Sequence, residues 1–101
     1  MSKVMVRYQV KPERAEENER LIRAVYAELE QTAPEGLRYA TFKLDDGVSF
    51  VHVASNESED GQSPLRNVKA FQEFQKEAAE RCAEPPLATD LYEIGSFRFW
   101  Q

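Results

Sequence analysis

The chain has 101 residues, 42% of them hydrophobic and 11% aromatic, the size and apolar content of one folded domain spanning 1–101 and too apolar for a disordered chain. Its 18 acidic and 13 basic residues leave a net charge of -5 with no basic stripe, which excludes nucleic acid as a partner. One cysteine rules out an intrachain disulfide, no apolar run approaches the ~20 residues of a membrane span, and no signal-peptide core follows Met1-Ser2-Lys3, so a cytoplasmic protein is expected.

Val4, Val6, Tyr8 and Val10 alternate with Met5, Arg7 and Gln9, the period of a half-buried strand. Pro12 ends it and suits the first turn of a helix, where a missing N–H costs nothing. Glu13, Glu16 and Glu17 crowd that turn while Arg20 and Arg23 follow, in agreement with the helix dipole. Leu21, Ile22, Val25 and Leu29 form its apolar stripe, and Pro34 and Gly36 close it.

Two strands over 37–45 and 48–55 then fold back on Asp46-Gly47, a pair suited to a type I′ turn with φ > 0 at both positions. That turn sets a register in which Phe42 faces Val51 and Ala40 faces Val53, an apolar set on one side. On the other side Lys43 meets Phe50, Thr41 meets His52, and Tyr39 meets Ala54. The first side reads as core and the second as a ligand pocket or second buried surface.

Residues 56–63, rich in Ser, Glu, Asp and Gly, read as a surface loop, and the acidic run Glu57-Ser58-Glu59-Asp60 within it as solvated. Val68, Phe71, Phe74, Ala78 and Cys82 repeat at helical spacing from about Pro64, with Cys82 a small buried apolar residue, until Pro85-Pro86 stops the helix. A last strand over 89–100 is rich in aromatics, with a bulge expected at Gly95.

The order β-α-β-β-α-β gives an α+β, ferredoxin-like sandwich: a four-stranded antiparallel sheet with both helices on one face. The bare face is expected to hold Met5, Leu37, Tyr39 and Phe50, with Leu91 and Phe97 or Tyr92 and Ile94 from the last strand. A patch of that size predicts a homodimer packed face to face, with Phe97, Phe99 and Trp100 reaching across to the partner.

Length, element order, the Phe50-Val51-His52-Val53-Ala54 strand and the aromatic last strand resemble the antibiotic biosynthesis monooxygenase superfamily of dimeric α+β barrels. Many members carry Glu-x-Trp after the third strand; this chain has Ser55-Asn56-Glu57 there. The resemblance implies a cofactor-free oxygenation of a small aromatic, phenolic or quinol compound.

His52 is the only histidine, so no multi-histidine metal centre is expected, and the four glycines form no phosphate-cradling loop. The expected catalytic pair is His52, accepting a proton from an acidic phenol or enol, and Arg7, stabilising the anion from the neighbouring strand. Gln9, Tyr39, Thr41 and Phe50 are the expected ligand contacts, with no cofactor and no metal. Two readings stay open: a small-molecule enzyme, and a non-catalytic dimeric binding or stress-response module in which His52 and Arg7 are interface residues.

Overall fold

In a computed structural model the chain is described over residues 2–57 and 63–99. The elements run β1 (Ser2–Val10), a short 3-10 turn (Pro12–Arg14), α1 (Ala15–Thr32), β2 (Leu37–Lys43), β3 (Ser49–Asn56), a second 3-10 turn (Pro64–Asn67), α2 (Lys69–Lys76), α3 (Ala78–Arg81) and β4 (Cys82–Asp90). The sheet order is β2-β3-β1-β4 with every neighbouring pair antiparallel, a ferredoxin-like α+β domain. Most of the acidic run 57–60 lies outside the described residues, as does Trp100.

The hairpin register is the expected one: Tyr39 pairs with Ala54, Thr41 with His52 and Lys43 with Phe50. The turn inside it differs. Gly47 N–H donates to the Leu44 carbonyl at 3.0 Å and Leu44 N–H to that of Ser49 at 2.8 Å, so the loop is two residues longer than a type I′ connection. Only Gly47 there takes the left-handed backbone, at φ 78°; Asp46 does not. The Asp46 carboxylate accepts from Val48 N–H, Ser49 N–H and the Ser49 hydroxyl at 2.9, 2.8 and 2.6 Å. Those bonds hold its carboxyl below the usual carboxylate range, the Ser49 hydroxyl first among them.

The two hairpin faces are exchanged relative to expectation. Val6 pairs with His52 across β1 and β3, and directly opposed residues share a face. The helices cover that face: Phe50, Tyr8, Val10, Ile22, Val25, Val68 and Phe74 form the core, with Tyr39 and Leu37 packed against it. Tyr39, Leu37 and Phe50 are therefore not on the bare face. That face carries Met5, Ala40, Phe42, Val51, Val53 and Leu87, with Phe42 50% and Leu87 69% exposed.

The C-terminal region needs two corrections. The helical repeat breaks at Glu77 and ends at Arg81; Cys82 already pairs with Val10 as the first residue of β4. Pro85-Pro86 lies inside that strand rather than terminating a helix. β4 is an edge, where a residue without an N–H is tolerated, and its register with β1 shifts between Arg7 and Gln9 to accommodate the pair. The expected strand over 89–100 survives only as far as Asp90, with one more rung from Leu91 N–H to the Lys3 carbonyl at 2.9 Å. Beyond it Tyr92, Ile94, Phe97 and Phe99 are exposed by 60% or more and belong to no regular element.

Helix α1 is tied to α2 by Glu28, whose carboxylate accepts from Lys69 and Ala70 N–H at 2.9 Å each. These are first-turn amides with no partner inside their own helix, so an acid supplied from a neighbouring helix caps them. The tie holds α2 over the sheet at the place where a cavity opens beneath it.

Candidate functional site

Between the helix-covered face and α2 lies a cavity of about 380 Å³, lined mainly by apolar side chains, with Tyr8, Tyr39, His52, Asn56 and Arg81 as its main polar groups. The volume is in the range of small-molecule sites. Its floor comes from β1 and β3 and its wall from Phe71, Phe74 and Ala78. Because period-2 alternation puts Val4, Val6 and Tyr8 on one face, one strand supplies both apolar floor and a polar hydroxyl.

His52 is 6% exposed and bonded at both ring nitrogens. Tyr8 Oη lies 2.8 Å from Nε2, Tyr39 Oη 2.6 Å from Nδ1, and Thr41 Oγ1 3.2 Å from Nδ1. The chain extends in both directions. Tyr26 Oη stands 2.8 Å from Thr41 Oγ1, while Asn18 Nδ2 donates to Tyr8 Oη at 2.9 Å and Arg81 Nε donates to Asn18 Oδ1 at 3.1 Å.

The guanidinium sets the direction of this chain. It can only donate, so Asn18 must present its oxygen to Arg81 and its amide N–H to Tyr8. Tyr8 then accepts from Asn18 and gives its own proton to His52 Nε2, its other partner. The imidazole proton sits on Nδ1, facing Tyr39 and Thr41. In this order the basic lone pair of His52 is reached through the Tyr8 hydroxyl, and the Tyr39 hydroxyl keeps a proton to donate.

Burial lowers the His52 pKa from 6.5 to about 4, so the imidazole is neutral at pH 7. Desolvation likewise pushes both Tyr8 and Tyr39 well above the ordinary phenol range, and they stay protonated. Burial also raises the Cys82 thiol, which keeps it protonated at the cavity edge as a packing group.

Of the expected site residues, the structure brings together His52, Tyr39, Thr41 and Phe50. Tyr39 and Thr41 bond the imidazole, and Phe50, 1% exposed, stacks on Tyr8 with ring centroids 5.6 Å apart. Arg7 and Gln9 do not join them. Arg7 pairs with Val51 on the bare face, so the sheet itself separates it from His52. The cation in the cavity is Arg81, 1% exposed, which sequence reasoning missed along with the fully buried Asn18. Asn18 stands one helical turn before Ile22 on the apolar stripe, a position where a polar side chain signals a buried partner. Among the described residues no group of three His, Cys, Asp or Glu side chains converges to hold a metal. No described helix is long and apolar enough to cross a membrane.

No protein-family model and no curated protein matches the sequence. Solved structures do match the fold. A Nitrosomonas europaea protein, provisionally named an antibiotic biosynthesis monooxygenase, superposes with a TM-score of 0.74 at 16% identity, over 94% of this chain and 100% of that one. The protein PA3566 of Pseudomonas aeruginosa gives 0.73 at 19% identity over 93% and 94%. A third structure, named an antibiotic biosynthesis monooxygenase, gives 0.70 at 18% identity over 94% and 100%. The chain shares the ferredoxin-like α+β fold of these structures.

Proposed function

We propose that the protein is a cofactor-independent oxygenating enzyme acting on a small aromatic compound, a phenol, quinol or anthrone, in the cavity between helices and sheet. The observation that carries this reading is the neutral imidazole of His52, fixed between two phenol hydroxyls at 2.8 and 2.6 Å on the wall of a largely apolar cavity. An aromatic substrate would lie against Phe71 and Phe74. Its acidic proton would pass to Tyr8 Oη as the Tyr8 proton moves to His52 Nε2, while Tyr39 donates to the developing oxyanion. The electron-rich anion is the species that reacts with dioxygen. For a ring methylene the balance is one CH2 and one O2 giving one C=O and one water.

An imidazole with a pKa of about 4 is a weak base, so the transfer needs the product anion to be stabilised inside the cavity. Arg81 replaces Arg7 as the cation placed to do so.

The bare sheet face and the exposed residues after β4 support the second half of the proposal, a homodimer. Phe42 and Leu87 on the sheet, and Tyr92, Ile94, Phe97 and Phe99 beyond it, are large apolar side chains left exposed, as at surfaces that bind another protein. A second copy supplies the same face and the same C-terminal residues, which is the self-complementary arrangement a two-fold axis requires. Light scattering should then give twice the 11.6 kDa chain mass.

A dimeric binding module without chemistry is the alternative, and the occupation of both His52 ring nitrogens is what favours it. Oxygen consumption with a panel of quinols, anthrones and phenols separates the two. The enzyme reading expects uptake with at least one compound and a loss of 10²- to 10⁴-fold in His52→Ala. No uptake across the panel, or an undiminished rate in a folded His52→Ala, sinks it.

A further inference from the structure

We propose that the Arg81 end of the cavity is an organic-oxyanion site, and that the ligand is a flat aromatic carrying a carboxylate there and a hydroxyl at the His52 end. The inference rests on the cavity being an aromatic-ligand site, as proposed above, and adds the chemical class of the ligand.

Burying the Arg81 cation carries a cost. Arg81 is 1% exposed, and no carboxylate among the described residues lies within salt-bridge distance of it. A buried charge without a counter-charge is costly, and proteins ordinarily pair it. The protein gives Arg81 dipoles instead. Nε donates to Asn18 Oδ1 at 3.1 Å, Nη2 donates to the Phe74 carbonyl at 2.6 Å, and the guanidinium carbon lies 5.0 Å from the Phe74 ring centroid. Glu17 feels its field only as a lesser influence behind Arg14.

Those contacts occupy two of the three guanidinium nitrogens. Nη1 has no hydrogen bond, yet among the described residues no sealed polar side-chain atom lacks a partner. Nη1 therefore keeps some accessible surface, and Arg81 is one of the residues that line the cavity. The Phe74 carbonyl at the end of α2 explains one bond to Arg81, and a neutral donor such as Gln could serve it equally. It does not account for a full positive charge held in an apolar chamber.

Geometry then fixes the ligand. Phe74 touches both ends of the site, its ring centroid 5.5 Å from the His52 ring and 5.0 Å from the Arg81 guanidinium carbon. An aromatic body lying along Phe74 would present one end to Arg81 and the other to Tyr8, Tyr39 and His52. An anion at the first end supplies the missing counter-charge. A hydroxyl at the second end meets groups that can take and give a proton.

The test compares 6-hydroxy-2-naphthoate with 6-hydroxy-2-naphthamide, equal in shape and differing in charge, by calorimetric titration of the wild-type protein without oxygen turnover. The naphthoate should bind at least tenfold more tightly, and Arg81→Gln should erase that preference while retaining the amide. Equal affinities, a tighter amide, or no binding of either compound at millimolar concentration overturns the proposal. If Arg81→Gln does not fold, the wild-type comparison decides alone. A tenfold preference without oxygen uptake from any substrate would keep the oxyanion site and remove the oxygenase. Uptake with equal affinities would do the reverse.

Discussion

The two faces of the sheet are built on opposite rules. Under the helices Tyr8, Tyr39, Thr41, His52, Asn18 and Arg81 form one hydrogen-bonded chain, buried or half-buried, and each partner is supplied within the protomer. On the other face Met5, Ala40, Phe42, Val51, Val53 and Leu87 are interspersed with polar side chains such as Arg7 and Gln9, and no helix covers them. A polar network thus lies inside, and apolar side chains lie on the open surface. The covered face can tolerate polar groups because each is satisfied, and a satisfied network in low dielectric fixes positions more tightly than packing alone. The apolar side chains of the open face make no such network and can be buried by a surface of matching shape. On the proposed reading, chemistry belongs on the first face and assembly on the second.

Matched charge insertions break the comparison most sharply. Phe50→Glu puts a carboxylate without a partner at a position 1% exposed, and it should leave the chain unfolded by circular dichroism. Phe42→Glu changes a residue 50% exposed and should keep a folded protomer, with stability within about 1 kcal/mol of wild type. The same change should dissociate the proposed dimer in light scattering. A folded Phe50→Glu, or an unfolded Phe42→Glu, would mean that the faces are assigned the wrong way round.

Acid is the next largest effect. His52 takes its proton at about 4 in the folded chain and near 6.5 once unfolded, so between those values the unfolded state binds more protons. The stability from keeping His52 neutral is fully present above pH 6.5. It is lost as pH falls toward 4, by about 3 kcal/mol. Urea unfolding followed across that window should show the loss, and His52→Gln should flatten it. Enzyme activity, once a substrate is found, should persist well below pH 6.5 for the same reason.

Tyr8→Phe sharpens the picture within the network. It deprives both His52 Nε2 and Asn18 Nδ2 of a partner and should cost about 1–3 kcal/mol in denaturant melts. Tyr26→Phe should cost less, because Thr41 and Tyr39 continue to hold Nδ1. Smallest of all is Glu28→Ala, which uncaps α2 and should cost about 1 kcal/mol. Faster amide exchange at Lys69 and Ala70 is the readout.

Much of the fold is legible in the residues, and the exceptions have physical causes. Alternation and the turn around Gly47 yield the hairpin register, because any loop that preserves the opposed pairs preserves the pattern. Which face the helices cover is a different matter. It follows from the β1–β3 register, and the usual guide of aliphatics inward fails where a buried face is filled with satisfied polar groups. His52, Tyr39, Thr41 and Phe50 are found together because they share one hairpin face, whereas Arg7 and Gln9 fall away with the face reversal. Arg81 is hidden for another reason: arginine near the end of a short helix reads as solvated. The prolines of β4 mislead because they mark an edge strand as readily as a helix stop.

Because His52 is the only histidine in the chain, one NMR titration of its ring carbon-bound protons reads the centre of the site without assignment ambiguity. The expected result is a neutral imidazole at pH 7, protonated on Nδ1, with a midpoint near 4 and chemical shifts that move when 6-hydroxy-2-naphthoate is added. A midpoint near 6.5, or a ring indifferent to every aromatic ligand that binds, would contradict it.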